Sequence, residues 1–394
     1  MLGKIKKKIL GKNFYKLRSK YLLEKIFGDL YIQTKRKFKF FKKSLFFKNH
    51  NLNKTIEGQK LVKNEKGFLI DLTIDNYLSY HLRPKLSDDF KLESTCEIQE
   101  KFAIIIQGPI QENFNFLKNS LEIYKKIFKK AYIIISTWEN EDPKIINKLK
   151  NSNTHIIFNK EIEKSKYNIN QQIISTNAAL NYARENNIKY CLKTRADIRI
   201  CNNNLEAFLI SLLKTFAVKK NNLINSRIIV PSLNTYKFRL YSLADIVMFG
   251  ETNDLIHYFD SEDYNSGLKK LGLSETNWLI NDTPLIPEVF LCSRLINKIE
   301  GHITWDLDNW WRCLRDYFCI IDNSSLDLFW IKYSWEIEYR YSRTYSKKSS
   351  RTVEFKDWIS LYNYSAHNWH LFSNEHERYK EFRNKLKGTN IFID

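Results

Sequence analysis

Two runs of three isoleucines, in KFAIIIQGP at 101–109 and AYIIISTWEN at 131–140, constrain this chain more than any other feature. β-Branched residues disfavour helix, and a run that is apolar at every position, without alternation, reads as a strand covered on both faces. The first run stops abruptly at Gly108-Pro109, and the second closes on Ser136, Thr137 and Trp138. A helical stretch lies between them at about 114–130. A short helix is expected from about Pro143, then the strand THIIFN at 154–159, then a longer helix opening near Asn168. Asn168 reads as the cap of that helix, with Gln171 at the third helical position and Ile169, Ile173 and Leu180 on the buried side. YCLKTRAD at 190–197 is the fourth strand. Strands alternating with helices imply right-handed crossovers, hence an α/β fold with a Rossmann-type, mainly parallel sheet flanked by helices.

The chain has 394 residues, enough for one large domain or two ordinary ones, and a formal charge of +20. That charge is not spread evenly. Residues 1–54 carry 17 Lys or Arg against Glu24 and Asp29, a net of +15, which leaves +5 on residues 55–394. Without a basic stripe in the body or a recognised binding motif, nucleic acid is not expected as a partner. In MLGKIKKKILGKNFYKLRSKYLLEKIFG, Ile5, Ile9 or Leu10, Phe14, Leu17 and Tyr21 recur at helical steps among cations. KRKFKFFKKSLFFK then adds five Phe. A basic amphipathic helical arm of this kind suits an anionic membrane surface. It has no continuous apolar core of the signal-peptide type, and no stretch of about 18 uninterrupted apolar residues occurs anywhere. The expected location is therefore cytoplasmic, peripheral on the inner face of the cytoplasmic membrane. Six cysteines without C-x-x-C spacing fit a reducing compartment, and His367 and His370 of HNWH lack further ligands nearby.

In open parallel sheets, ligands gather outside the carboxyl ends of the strands. Four such ends here carry Gln107-Gly108, Thr137-Trp138, Asn159-Lys160 and Arg195-Asp197. Glycine lets a backbone approach phosphate, and an Asp among phosphates can hold Mg²⁺ or Mn²⁺. No G-x-x-x-x-G-K-[ST] is present and no G-x-G-x-x-G follows the first strand, which argues against P-loop enzymes and dinucleotide oxidoreductases.

The series QGPI, ISTWEN, NINQQIIST, LKTRAD, ADIVMFG and PEVFLC, in that order over roughly residues 100–335, resembles the WavE lipopolysaccharide synthesis family of bacterial glycosyltransferases. The resemblance implies a GT-A-like fold and a nucleotide-sugar-dependent transferase of lipopolysaccharide or capsule assembly, with a nucleotide-binding half at about 100–200 and an acceptor half at about 201–335. Residues 55–99 would be a connector or edge layer, and 336–394 a C-terminal extension. Gln171 stands where many relatives are expected to have arginine. Arg195 and Asp197 correspond to the D-x-D element of GT-A enzymes, with Arg in the first position. The donor-binding residues implied are Gln107, Gly108, Thr137, Trp138, Lys193, Arg195 and Asp197, with Asp197 as the ligand to a divalent Mn or Mg ion. Arg195 and Lys193 are alternatives that could supplement or replace that ion.

Glycosyl transfer needs a stabilised leaving diphosphate and a base for the acceptor hydroxyl. Glu288 in LIPEVFLCSRL, beside Pro287 at the start of a helix, and Asp245 in SLADIVMFGE are the two catalytic candidates. Trp305, Trp310, Trp311, Trp330 and Trp335 offer either an acceptor surface or core. YSRTYSKKSSRT at 341–352 reads as a loop. The expected partners are a nucleotide-sugar donor, a glycan or lipid-linked acceptor and, through residues 1–54, an anionic membrane. Two other readings stay open: a phosphosugar transferase, and a non-catalytic membrane- or glycan-binding scaffold.

Overall fold

The computed structural model describes residues 100–110, 114–150, 154–274, 276–277, 279–281, 283–333, 352–363, 372 and 376–377. All of them belong to one unit, Arg83–Asp394. The basic arm of 1–54, the connector of 55–99, nearly all of the loop at 341–352, Trp335 and the two histidines of HNWH lie outside the described residues.

The elements follow the expected alternation. They begin β1 (Phe102–Gln107), α1 (Phe114–Ile127), β2 (Tyr132–Trp138), α2 (Pro143–Leu149), β3 (Thr154–Asn159), α3 (Ile169–Glu185) and β4 (Tyr190–Arg195). Next come β5 (Ile198–Ile200), α4 (Leu205–Thr215), β6 (Ile228–Pro231), β7 (Met248–Glu251), α5 (Thr252–Phe259) and α6 (Tyr264–Lys270). A small hairpin of β8 (Leu279–Ile280) and β9 (Thr283–Pro284) leads to α7 (Pro287–Glu300), α8 (Leu307–Tyr317) and β10 (Phe318–Ile321). The series ends with α9 (Asn323–Leu326), β11 (Leu328–Trp330) and α10 (Phe355–Asn363).

Seven strands form one sheet in the order β10-β6-β7-β4-β1-β2-β3. β4 lies at its centre; β1 pairs in parallel with β2 and β4, while β7 runs antiparallel to β4 and β6. Ile104, Ile105 and Ile106 of β1 and Ile133, Ile134 and Ile135 of β2 are buried, as strands covered on both faces require. Each such side chain contributes on the order of 1.5–3 kcal/mol by leaving water. The register aligns Gln107 with Ser136 on one side and Arg195 on the other, and Trp138 with Asn159. The carboxyl ends of four consecutive parallel strands therefore form one continuous edge.

The start of α3 differs from expectation in its cap. Asn168 precedes the helix but adopts φ +56° and makes no side-chain cap bond. Ser165 does the capping instead: its Oγ accepts from the Asn170 backbone N–H at 2.9 Å and donates to Gln171 Oε1 at 3.1 Å. Tyr167 and Asn168 both sit in the left-handed region, which displaces the Asn168 side chain from the first-turn donors. Trp310 and Trp311 are core: both are buried, and their indole N–H groups donate to the carbonyls of Tyr236 and Lys237. Trp358 of α10 is fully buried and donates to the Leu314 carbonyl, so this part of the C-terminal segment is packed onto α8 and β10. The five described cysteines are buried thiols, not disulfide-bonded to one another.

Candidate active site

A cleft of about 1110 Å³ opens along the carboxyl edge of β1, β2 and β4. Its lining includes Gln107, Gly108, Trp138, Arg195 and Asp197 from the strand ends, Asn168, Gln171 and Gln172 from the start of α3, and Lys332 from the segment after β11. Gly108 is required here by its backbone: φ is +116°, a conformation open to glycine, and its N–H donates to the Ser136 carbonyl at 3.1 Å. Beyond it the chain is held by Glu141, whose Oε1 accepts from the Ile110 N–H at 2.6 Å and from Thr137 Oγ1 at 2.7 Å.

β4 delivers the charged residues. The Ala196 N–H donates to the Gln107 carbonyl at 3.1 Å, so the turn after β4 is stitched to β1. Arg195 then reaches over Asp197 with two parallel bonds, Nε to Oδ1 at 2.8 Å and an Nη to Oδ2 at 3.0 Å. The antiparallel pairing of β5 with β11 sets Trp330 opposite Ile198. From there the Trp330 indole N–H donates to Asp197 Oδ2 at 2.9 Å, and the Arg195 guanidinium lies 5.4 Å from the centre of the Trp330 ring. Asp197 and Trp330 are both 6% exposed. Burial raises the Asp197 pKa, but the bonds from Arg195 and Trp330 outweigh it and hold the carboxyl below its ordinary value. A carboxylate enclosed in this way stays charged because both its oxygens are bonded.

Behind the cleft lies a second ionisable group. Lys193, two residues inside Arg195, is fully buried and donates to the Asp245 carbonyl. Burial pushes its pKa down to about 8, against the pull of Asp245. Asp245 Oδ2 accepts from Gln172 Nε2 at 2.8 Å. Glu288 is at the first turn of α7, where Pro287 occupies the expected opening position. Its carboxyl is pushed up to about 8 by burial and then by the Asp245 carboxylate, with Arg239 and Arg195 opposing. The Tyr258 hydroxyl, raised mainly by burial and also by Cys292, Asp245 and Glu288, is buried with no hydrogen-bond partner.

The structure thus separates the residues expected to act together. Gln107, Gly108, Trp138, Arg195 and Asp197 line one cleft. Thr137 does not: side chains alternate along a strand, so it turns inward to Glu141 while Trp138 faces the cleft. Lys193 is likewise behind the wall; Asp245 is joined to the cleft through Gln172 instead of lining it, and Glu288 does not line it either. Gln172 and Glu141 are residues that sequence reasoning did not place here, and Trp330, expected as acceptor surface or core, is instead buried against Asp197. Gln172 had a signal, since it neighbours Gln171 at the start of a helix that follows a strand end.

The family model of WavE lipopolysaccharide synthesis matches residues 102–387, from the first strand to beyond α10. The chain belongs to the WavE lipopolysaccharide synthesis family. It is, with that family, a sugar-transferring enzyme. The matched region runs past residue 335, where the quoted motifs end. No curated protein matches the sequence significantly.

Among solved structures, mouse xyloside xylosyltransferase 1 in its apo form is similar at 10% identity and a TM-score of 0.33, covering 59% of this chain and 97% of its own. A cytidylyltransferase from Leptospira borgpetersenii serovar Hardjo-bovis matches at 13% identity and a TM-score of 0.32, over 75% of this chain and all of its own. A mannosyltransferase from Pyrobaculum calidifontis in complex with GDP-mannose and Mn²⁺ matches at 10% identity and a TM-score of 0.27, over 46% of this chain and 49% of its own. Likenesses this remote carry no residue roles across.

The WavE resemblance implies a divalent ion on Asp197, and such an ion would have to compete there with Arg195 and Trp330, which already bond both carboxylate oxygens. A carboxylate offers about four lone-pair sites. At Asp197 three of them are taken by two guanidinium N–H groups and the Trp330 N–H.

Proposed function

We propose that this WavE-family enzyme transfers a sugar from a nucleotide-sugar donor to a glycan acceptor in bacterial lipopolysaccharide or capsular polysaccharide assembly. What supports this reading is one observation above all: a charged Arg195–Asp197–Trp330 cluster on the wall of a large cleft at the carboxyl edge of a parallel sheet. In this reading the donor's diphosphate lies against Arg195, Gln107 and the Gly108 turn, and Trp138 and Asn140 border the remainder of the donor. Asp197 fixes the guanidinium in place. Glu288 holds a proton next to the cleft, and Asp245 positions Gln172, which is the member of that set facing the ligand. The fold reading attached to this function is GT-A-like.

The arm of residues 1–54 would dock the enzyme on the inner face of the cytoplasmic membrane, where lipid-linked acceptors lie. Its charge, +15 in 54 residues, supports attraction to an anionic leaflet. Deleting residues 1–54 should abolish binding to anionic phospholipid vesicles while sparing transfer to a soluble acceptor. Salt-insensitive vesicle binding by the truncated protein would refute the docking role.

The test of the main reading is a screen of nucleotide diphosphate sugars for donor cleavage, with the released nucleotide identified. Release of nucleoside diphosphate, lost in a folded Asp197→Ala protein, is the expected result. Release of nucleoside monophosphate would instead support phosphosugar transfer. Retained glycan binding without turnover of any donor would support the scaffold reading.

A further inference from the structure

Resting on the reading of the cleft as a donor site, we infer that the chain holds the donor's diphosphate without a divalent cation, through the Arg195 guanidinium and the amino end of α3. In a D-x-D site two carboxylates recruit the ion that neutralises the phosphates. Here the first position already supplies a fixed positive charge, and the second is engaged in holding it. Asp197 takes the Nε edge and one Nη of Arg195 at 2.8 and 3.0 Å, and Trp330 both bonds Asp197 and underlies the guanidinium. The guanidinium plane is thereby oriented, yet the Arg195 side chain keeps 34% of its surface exposed and lines the cleft, against 8% for Asp197. A planar fork held in this manner suits phosphate oxygens, and it would repel a divalent ion placed on the same carboxylate.

A second, independent source of positive potential faces the same space. α3 is 17 residues long with no acidic residue in its first turn, and Asn168, Gln171 and Gln172 from its start line the cleft. The Ile169 N–H is bonded to the Lys166 carbonyl and the Asn170 N–H to Ser165 Oγ, so this end acts on phosphate through the helix dipole and its polar side chains, not through free backbone donors. Lys164 and Lys332 add cations at the cleft surface. The other carboxylates of the lining are already engaged: Glu141 Oε1 accepts from Ile110 and Thr137, and Glu161 accepts from Asn140. The diphosphate of a nucleotide sugar, with two negative charges, is the group this arrangement matches.

Calorimetric titration of the full chain with UDP, GDP, CDP and ADP, each in EDTA and in Mn²⁺, tests the inference. For the tightest binder the dissociation constants in the two conditions should agree within about threefold, and Arg195→Gln should weaken binding at least about tenfold in both. Tightening by about tenfold or more on adding Mn²⁺ would overturn the inference, as would unchanged binding by a folded Arg195→Gln protein. The comparison on the unmodified protein stands whether or not the variant folds. Binding of none of the four in either condition would overturn the donor-site reading itself, and this inference with it.

Discussion

Asp197 is buried and Glu288 half-buried near one cleft, and their surroundings drive the two acids in opposite directions. Asp197 meets a guanidinium and an indole N–H, and its carboxyl is held below the ordinary range. Glu288 meets another carboxylate, Asp245, in a desolvated setting, and its carboxyl is pushed up to about 8. Desolvation acts alike on both, so the partner decides the charge. One site is built to keep a fixed charge on the cleft wall, and the other to hold a proton beneath it.

Asp197→Ala should break this contrast most severely. It removes the partner of a half-buried arginine and the acceptor of a buried indole. Stability should fall by about 3 kcal/mol, and donor turnover by at least about a hundredfold. Denaturant midpoints and donor cleavage by the same preparation check both. Trp330→Phe is gentler, because it keeps a ring beneath Arg195 and removes a single N–H. It should cost about 2 kcal/mol and raise the Asp197 pKa.

The pH dependence of stability sharpens the other half of the comparison. A raised carboxyl makes the folded state bind more protons than the unfolded one, so Glu288 lowers stability as pH rises from about 4.5 to about 8. Glu288→Gln should flatten that decline. Lys193 acts in the next window with the opposite sign: its depressed pKa makes stability rise between about 8 and 10.5, and Lys193→Met should remove that rise. Melting temperatures across this range read both. The smallest effect is expected for Gln172→Leu, which removes one donor to Asp245 at the cleft edge. A loss of about 1 kcal/mol and a several-fold rise in the donor KM should follow.

These contrasts also mark what was legible beforehand. β1 to β4 could be read locally because each is a short, nearly continuous apolar run with its own terminator, and Phe102–Gln107, Thr154–Asn159 and Tyr190–Arg195 lie where those runs lie. The strand-end rule found Gln107, Trp138, Arg195 and Asp197 because parallel pairing aligns sequential carboxyl ends. It could not separate neighbours by face or depth. Thr137 and Trp138 differ by one step of the pleat, and Lys193 and Arg195 share a face but stand about 6.6 Å apart along it, which buries one and exposes the other. Trp330 was out of reach for another reason. It meets Asp197 across 133 positions through a three-residue antiparallel pairing that has no local sequence signal. The Gln172–Asp245 contact, 73 positions apart, is of the same kind.

A crystal structure of the protein with its preferred nucleoside diphosphate tests the central claim most directly. The account predicts phosphate oxygens within hydrogen-bonding distance of Arg195, beside Gln107 and the first turn of α3, with the Arg195–Asp197–Trp330 contacts intact. A nucleotide bound elsewhere, such as the basic depression lined by Lys219, Lys220 and Lys298, with the Arg195 cleft empty, would contradict it.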